Sequence, residues 1–360
     1  MNHRTIISSP HSALLDQLCE QLSAAASLAE TENHWPMGQL ELCGEYGVYG
    51  WFVPAQDGGL GWSDADITRG YIRLAEACLT TSFVITQRTG AIQRFAAMAA
   101  ESVKAAFLPG MLSGETFTTI GISHLTTSRR HLKTPVLRAE LSDEAVKLDG
   151  YSPWVTGAAH AQLVVLGAST DDGQQVLVAV PTDLPGVRAA EPSRLIALSG
   201  SHTGALECHQ VNVPREFLLA GPAENVMAKR QGGNTGGLQT SALAVGLSRA
   251  AARFLQHEAD RRPELLGPTT SLVNELDAMQ VDLIARAEGQ QDCTLEELRT
   301  RANSLVLRAT QAALAAAKGA GFVVGHPVGR WCREALFFLV WSCPQPVVNA
   351  ALCEFAGLSE

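Results

Sequence analysis

The sequence lacks the patterns that mark several large classes of protein. It carries 27 Lys and Arg against 36 Asp and Glu, and its basic residues form no stripe, which argues against a nucleic-acid surface. Residues 335–353 contain no charged residue, but Pro344, Pro346 and Asn349 interrupt this stretch, which argues against a membrane helix. The first 18 residues lack the charged start and apolar core of a secretory signal. We therefore expect a cytoplasmic protein that binds neither nucleic acid nor membrane.

Cysteine and histidine spacing gives no sign of a metal site. The eight cysteines include no Cys-x-x-Cys pair, and several, such as Cys78, have apolar neighbours. We predict buried, reduced thiols. The ten histidines form no His-x-x-x-His pair, so we predict no bound metal. Four histidines are interpreted as surface residues or as hydrogen-bonded core residues: His124, His131, His160 and His326.

Two glycine-rich segments do not match known catalytic loops. An alanine-rich helical segment, not a strand, precedes residues 319–325, and the glycine spacing is one residue too long for a dinucleotide-binding loop. In residues 200–204, Gly-Ser-His-Thr-Gly, the serine is not central, so a nucleophile elbow is rejected. Residue spacing alone therefore gives no catalytic constellation.

The chain changes character twice. Residues 1–118 have helical spacing, as in the segment 64–77, where apolar residues recur every three or four positions. Residues 119–225 contain short runs rich in Val and Leu, with a predicted hairpin turn at 171–174. Residues 226–360 contain alanine-rich helical segments. The pattern predicts an α+β protein of three domains with these boundaries.

The apolar run at residues 337–341, Phe-Phe-Leu-Val-Trp, lies just before Ser342-Cys343-Pro344. We interpret this run as the last core helix, ended by the proline.

Five segments, in order, resemble motifs of the flavin-dependent acyl-CoA dehydrogenase family across nearly the whole chain. One has the spacing of the family's Pro-Val-x-Arg-x-x-Arg-Asp-Ala. Another resembles its Trp-Ile-Thr-Asn-Ala strand. The five are Val53 to Gly61, Leu108 to Glu115, Trp154 to Ala158, Leu198 to Gly221, and Pro327 to Ala335.

The resemblance implies an N-terminal helical domain, a middle β-barrel or β-sandwich domain and a C-terminal four-helix bundle. It also implies FAD as the cofactor, with its ring between the β domain and the C-terminal helices. In the family, a carboxylate removes the α-proton of an acyl thioester while a hydride passes to the flavin. The thioester is carried by coenzyme A or a carrier protein, and members form homodimers or homotetramers.

The cofactor-binding residues that the resemblance implies lie in three places. Trp154 and Thr156 match residues beside the flavin ring, where Trp offers a flat apolar face and Thr a hydroxyl. The segment 122–128 matches the second flavin-contacting strand and loop, although it departs from the family's Thr-Glu-Pro-x-x-Gly-Ser-Asp. There the resemblance assigns Ile122, Ser123 and Ser128. Arg262 matches an arginine that reaches the cofactor of the neighbouring subunit.

The catalytic base is the largest departure from the family pattern. The usual Glu-Gly-Thr falls on residues 342–344, which puts Ser342 at the base position, on the wall of the substrate pocket. Some members carry their glutamate on the first C-terminal helix, but residues 238–242 contain no carboxylate. A serine without a partner cannot serve as the base near neutral pH. The identity of any catalytic residue is left open.

Three functions remain open at this point. The first is a flavin-dependent oxidoreductase of acyl-CoA dehydrogenase type acting on an acyl thioester. The second is a flavin monooxygenase on the same scaffold, whose relatives lack the glutamate. The third is a flavin-free, non-catalytic member that serves as a binding partner.

Overall fold

The computed structural model describes residues 6–26, 34–126, 135–227 and 237–358. Helices occupy the N-terminal and C-terminal parts of the chain, and strands occupy the middle. The prediction of an α+β fold is therefore confirmed. One large hydrophobic core runs through all three parts, so the sheet and the two sets of helices are packed together, and a smaller apolar cluster lies among the C-terminal helices.

The N-terminal part contains five described helices: α1 (Ala13–Ala25), α2 (Met37–Glu45), α3 (Asp64–Ala77), α4 (Leu79–Met98) and α5 (Glu101–Ser113). Helix α3 begins where the Ser63 hydroxyl accepts a hydrogen bond from the amide of Asp66 at 3.1 Å, which satisfies a free amide of the first turn. Its predicted apolar face packs inward, and Tyr71 and Leu74 are buried.

The turn at residues 53–61 shows why that motif needs glycines. Gly58 and Gly61 have φ angles of +83° and +59°, which side-chain-bearing residues rarely adopt. A Cβ atom on Gly59 would lie 2.0 Å from the Val53 carbonyl oxygen. The chain therefore folds back on itself more closely than any larger residue would allow.

The described residues of the middle part form one mixed sheet of eight strands. Seven of them follow one another in the order β6-β7-β3-β2-β4-β5-β8, and the eighth, β1, pairs in parallel with β4. A short helix, α6 (Ser123–Thr126), follows β1. Strands β4 and β5 are antiparallel and are joined by the turn predicted at 171–174. The strands are β1 (Thr118–Gly121), β2 (Leu137–Leu141), β3 (Ala145–Val155), β4 (Leu163–Ser169), β5 (Gln175–Pro181), β6 (Val187–Ala189), β7 (Gly204–Pro214) and β8 (Leu218–Ala223).

The C-terminal part is built on three long helices, with two shorter ones after them. Helices α7 and α9 pack against each other and against α8, and α7 also packs on α3 of the N-terminal part. The Thr294 and Glu297 side chains form a capping box at the start of α9. The helices are α7 (Leu238–Ala259), α8 (Leu266–Ala287), α9 (Leu295–Ala317), α10 (Pro327–Ala335) and α11 (Gln345–Phe355).

The structure bears on the state of the cysteines and on membrane-spanning helices. All eight cysteines lie in described segments and none forms a disulfide; Cys19, Cys43, Cys78 and Cys208 are buried. Across the described ranges, no helix combines the length and the hydrophobicity that a bilayer-crossing segment requires.

Arg88 connects α4 to the segments around it. Its side chain is 1% exposed, and its Nη2 atom donates to the carbonyls of Met111 and Thr116, each at 2.7 Å. The guanidinium lies 3.9 Å from the centre of the Tyr49 ring, a cation–π contact. One side chain thus holds α4 against the end of α5 and the segment that leads into β1.

We expect Arg88→Met to lower the free energy of unfolding by about 2–4 kcal/mol, because it leaves two buried carbonyls unpaired. For a chain of 360 residues this corresponds to a fall in melting temperature of roughly 3–5 °C, measured by calorimetry. The control is Arg138→Met, which removes an arginine that is 46% exposed and bound to Glu140 and Asp171. Such surface pairs contribute about 1 kcal/mol or less. Equal melting temperatures for the two variants would contradict the role given to Arg88.

Candidate functional site in the cavity between the sheet and the C-terminal helices

A cavity of about 650 Å³ lies where the sheet, helix α4 and the C-terminal segments meet. Helix α4 forms one wall with residues spaced three or four positions apart, which places them on one helix face. They are Phe83, Thr86, Gln87, Gly90 and Arg94. The volume suits a small organic ligand or part of a larger one.

The sheet side of the cavity carries four of the predicted cofactor-binding residues. Ile122, Ser123, Trp154 and Thr156 all line it, although 33 positions separate Ser123 from Thr156. The first pair follows directly after β1, and the second pair lies at and just after the end of β3. The structure thus places on one wall the residues that the family resemblance assigned to the flavin. Ser128 lies outside the described residues.

Hydroxyl groups give this wall its polarity. The Thr156 hydroxyl forms a 3.0 Å hydrogen bond with that of Thr203, which forms another of 2.9 Å with Ser201. The Ser123 Oγ atom is buried without a hydrogen-bond partner in the described structure, an unfavourable state that a bound ligand would relieve. Trp154 is 48% exposed, so its indole has a face open to a ligand.

Behind Thr156, the chain turns tightly through Gly157, whose φ is +65°. A Cβ atom there would lie 2.4 Å from the Trp35 ring, so only glycine lets this ring approach. Trp35 stacks on His160 with the ring centres 4.3 Å apart. The His160 Nε2 atom is 2.9 Å from Nδ1 of His202. This cluster supports the back of the wall, and residue spacing gave no signal of it.

The opposite wall is formed by the segment after α10, which contains Ser342. The interpretation of residues 337–341 as the last core helix is wrong. Helix α10 ends at Ala335, a short 3-10 helix covers Leu336–Leu339, and Val340 is 76% exposed. Ser342 has a φ of +46°, a left-handed conformation that cannot continue a helix.

Two polar side chains of α9 explain why this segment is not helical. Asn303 Nδ2 donates to the Phe338 carbonyl at 2.9 Å, and Arg299 Nη2 donates to the Trp341 carbonyl at 2.8 Å. In an α-helix these two carbonyls would accept from backbone amides one turn further along the chain. Here the side-chain donors occupy them instead. The apolar residues consequently face the cavity. Phe83 packs edge-on against Phe337 and Trp341, with ring centres 4.9 and 5.1 Å apart.

The cavity wall carries positive charge and no carboxylate among its described residues. Arg94 and Arg333 line it, whereas no Asp or Glu of the described segments does. Burial lowers the pKa of Arg94 to about 10, which still leaves its guanidinium charged at neutral pH. In the parts of the chain that the structure describes, no group of three or more His, Cys, Asp or Glu could hold a metal ion.

Arg262 lies apart from the cavity. Its Nη2 atom contacts Glu258 Oε2 and the Ala316 carbonyl, both at 2.6 Å, which places it between the end of α7 and the end of α9. The structure therefore does not bring it together with the other predicted cofactor-binding residues of its own chain.

Two histidines beside the sheet wall make stability depend on pH. Burial lowers the pKa of His124, whose Nε2 is 2.8 Å from the Gly167 carbonyl. Burial and then the neighbouring His202 lower the pKa of His160. In the unfolded chain both protonate near pH 6.5. Because the unfolded state then binds more protons, their contribution is fully present above about pH 6.5 and is lost as pH falls.

We therefore expect the melting temperature to fall as pH is lowered from 7.5 to 5. His124 alone contributes a slope of up to about 1.4 kcal/mol per pH unit below its unfolded pKa. Calorimetry across this range, repeated on His124→Gln, checks the assignment. The variant should show a shallower dependence, and an identical slope would show that His124 is not responsible.

Comparison with known proteins relates this chain to one family. The model of the acyl-CoA dehydrogenase N-terminal domain matches residues 13–115. A probable acyl-CoA dehydrogenase of Bacillus subtilis, YngJ, is 25% identical over 339 residues, 88% of each chain. A glutaryl-CoA dehydrogenase of Desulfococcus multivorans is 26% identical over 234 residues, which cover 61% of this chain and 59% of the relative.

Solved structures show the same fold. The butyryl-CoA dehydrogenase of Megasphaera elsdenii superposes with a TM-score of 0.81 at 17% identity, covering 94% of this chain and 96% of its own. A glutaryl-coenzyme A dehydrogenase in complex with glutaryl-CoA gives a TM-score of 0.80 at 19% identity and covers 96% of both chains. The domain match, the relatives and the shared fold together support membership of this chain in the acyl-CoA dehydrogenase family.

Proposed function

We propose that this chain is a flavin-dependent oxidoreductase of acyl-CoA dehydrogenase type that binds FAD and acts on an acyl thioester. One observation carries the proposal. In a chain of this family, the four described residues matched to flavin-binding positions converge on one wall of a cavity whose opposite wall contains the position of the family's base. The catalytic residue itself is not assigned.

The residues on the sheet wall fit a flavin ring. The Ser123 Oγ atom lacks a partner and can donate to a ring oxygen or nitrogen, while the Thr156 hydroxyl offers a second polar contact. Trp154 and Ile122 supply flat and apolar surfaces. Flavin, when bound, supplies the acceptor for a hydride. The chain's own residues orient the ring, exclude water from its apolar side and position the substrate.

The opposite wall lacks the base that the family uses. The Ser342 hydroxyl has no Asp or Glu beside it among the described lining residues, and a serine hydroxyl is too weak a base alone. Gln239 and Thr240 lie where other members carry their glutamate on the first C-terminal helix. We infer that α-proton removal is slow, or that it depends on a group outside the described lining.

The absence of Asp and Glu from the described lining also favours a second candidate, a flavin monooxygenase. That chemistry needs an apolar pocket around the reduced flavin and no α-proton base. Phe83, Phe337 and Trp341 provide such a surface. Oxygen consumption with reduced flavin distinguishes this candidate from a dehydrogenase, which reacts slowly with oxygen. A third candidate, the flavin-free binding protein, requires that the sheet wall hold no cofactor.

We further propose a cytoplasmic homodimer or homotetramer, with the thioester carried by coenzyme A or a carrier protein. Exposed apolar side chains in the C-terminal part support association: Phe322, Val323 and Val324 are 64–89% exposed. Arg262 would then meet the cofactor of the neighbouring subunit, as the family pattern implies.

The proposal is tested first by the visible absorption spectrum of protein that has been incubated with FAD and freed of excess. We expect a flavin spectrum at about one per chain that bleaches slowly when butyryl-CoA is added without oxygen. Retained flavin that no thioester bleaches, but that consumes oxygen when reduced, would favour the monooxygenase. A colourless protein would leave the binding role.

The role of position 342 gives a sharper prediction. Ser342→Glu should speed flavin bleaching by an acyl-CoA by about 10²–10⁴-fold, because a general base typically contributes this much. Stopped-flow absorbance measures the rate. Ser342→Gln is the matched control, since it has the same size without a base. Equal rates for both variants and the wild type would show that the base does not belong at position 342.

A further inference from the structure

The loop between β6 and β7, residues 190–203, forms part of the cavity wall without belonging to the sheet. Its regular structure is one short 3-10 helix, Ser199–Ser201. The position of this part of the wall therefore depends on the contacts that the loop makes with other segments. Five residues of the loop line the cavity: Leu195, Ile196, Ala197, Leu198 and Thr203.

The backbone of this loop is strained at two positions. Leu198 and His202 have φ angles of +59° and +44°, in the left-handed region that residues with a side chain adopt only at a cost in free energy. Such conformations persist where the surrounding structure holds them. The amide of Gly157 donates to the carbonyls of Ser201 and His202 at 3.0 and 3.2 Å, which attaches the loop to the end of β3.

The side chains of His160 and His202 form the second attachment of the loop. Nε2 of His160 lies 2.9 Å from Nδ1 of His202, a distance at which one nitrogen carries a hydrogen and the other accepts it. His160 is itself fixed, because the Trp35 ring stacks on it and its carbonyl accepts from Gln162 Nε2 at 3.2 Å. The loop is thus bound to a histidine that cannot move with it.

This contact between two imidazoles accepts one added proton but not two. A neutral imidazole has one donor and one acceptor nitrogen, whereas an imidazolium has two donors. With one added proton, the charged ring still donates to the neutral ring. With two, both nitrogens across the 2.9 Å contact carry hydrogen and two positive charges face each other. The rings must then separate, and the strained backbone at His202 is free to relax.

The described surroundings do not offset a second charge on His160. Burial and then His202 lower its pKa, and no carboxylate of the described structure acts on it. His34 lies on the neighbouring segment before α2, and the loop's own charged residues are Glu191 and Arg194; all three are exposed. His34 and His202 each take part in a further interaction. The remaining neighbours do not titrate: Trp35, Phe117 and Gln162.

We propose that His160 and His202 are positioning residues that hold the loop 190–203 against the sheet wall, and that protonation of both rings releases it. Release would move Thr203, whose hydroxyl forms a 3.0 Å hydrogen bond with that of Thr156, so the affinity of the cavity for its ligand falls in acid. The role of the histidine pair rests on its geometry, whereas the choice of FAD as the ligand rests on the proposed function.

Two substitutions retain the hydrogen bond and prevent the double charge. His160→Gln places an amide near the position of Nε2, and His202→Asn places an amide oxygen near that of Nδ1, so each keeps a donor opposite an acceptor at any pH. His160→Phe keeps a ring on Trp35 but has no nitrogen, so the bond is absent at any pH. The control is His209→Gln, which removes an exposed histidine of β7. Melting temperatures verify that each variant folds.

The first experiment measures hydrogen–deuterium exchange of the peptide covering residues 195–203 at pH 7.5 and pH 5.5, corrected for the intrinsic pH dependence of exchange. In the wild type and in His209→Gln, protection should fall about tenfold at pH 5.5, the scale of one lost hydrogen bond between charged groups. His160→Gln and His202→Asn should keep their protection. His160→Phe should be weakly protected at both pH values. The peptide covering β5 is the internal reference.

The second experiment measures the dissociation constant of FAD at the same two pH values. The wild-type value should rise about tenfold at pH 5.5, whereas His160→Gln and His202→Asn should bind equally well at both. His124 also titrates beside Ser123, but it is present in every variant. A pH response that all variants share would therefore belong to His124 or to FAD and not to the histidine pair.

The outcomes separate this inference from the proposed function. Loop protection that falls equally in the wild type, His160→Gln and His202→Asn, or that falls in none of them, overturns the inference even if FAD binds. A wild type that retains no FAD overturns the proposed function, while the exchange measurement still decides the role of the pair. Protection lost only where both histidines are present, together with weaker FAD binding in the same proteins, supports the inference.

Discussion

The architecture of the cavity depends on the placement of one buried helix, α4. It is buried over most of its length, and the Arg88 guanidinium fixes it to the end of α5, the Tyr49 ring and the segment before β1. Because a charge-assisted hydrogen bond needs close and directional geometry, this contact sets the position of the helix along its own axis. The cavity face of α4 then meets β1 on one side and the segment after α10 on the other.

The polar groups on the walls of the cavity determine its chemistry. Hydroxyls and a buried guanidinium remain, while carboxylates are missing from the described lining. In an environment that excludes water, a single charge interacts with a ligand far more strongly than at the surface. The absence of Asp and Glu from the described lining therefore removes the proton acceptor that the family uses, and it leaves Arg94 and Arg333 as the charged residues of that lining.

Much of the fold could be predicted from local sequence, because helices and hairpins are set by neighbouring residues. The helical spacing of residues 64–77 and the turn at 171–174 both led to correct elements. The family motifs led to the cavity wall, since Trp154 and Thr156 lie in a recognisable strand. The helix expected at 337–341 was wrong because Asn303 and Arg299, some 35 to 42 positions earlier, bind its carbonyls. The cluster of Trp35, His160 and His202 was not predictable either, because it arises from contacts between distant segments, which periodicity does not report.

The support behind Thr156 has a consequence for how the protein is made. Trp35 stacks on His160 and packs edge-on against Phe117, and the cavity in front of this cluster is completed only by residues up to Ser342. During synthesis, the tryptophan emerges more than a hundred residues before His160, and the last wall emerges much later still. Contacts between residues that lie so far apart in the sequence form late in folding. A nascent chain therefore cannot bind a ligand until Ser342 has left the ribosome, so ligand binding stabilises only molecules in which both walls of the cavity are present.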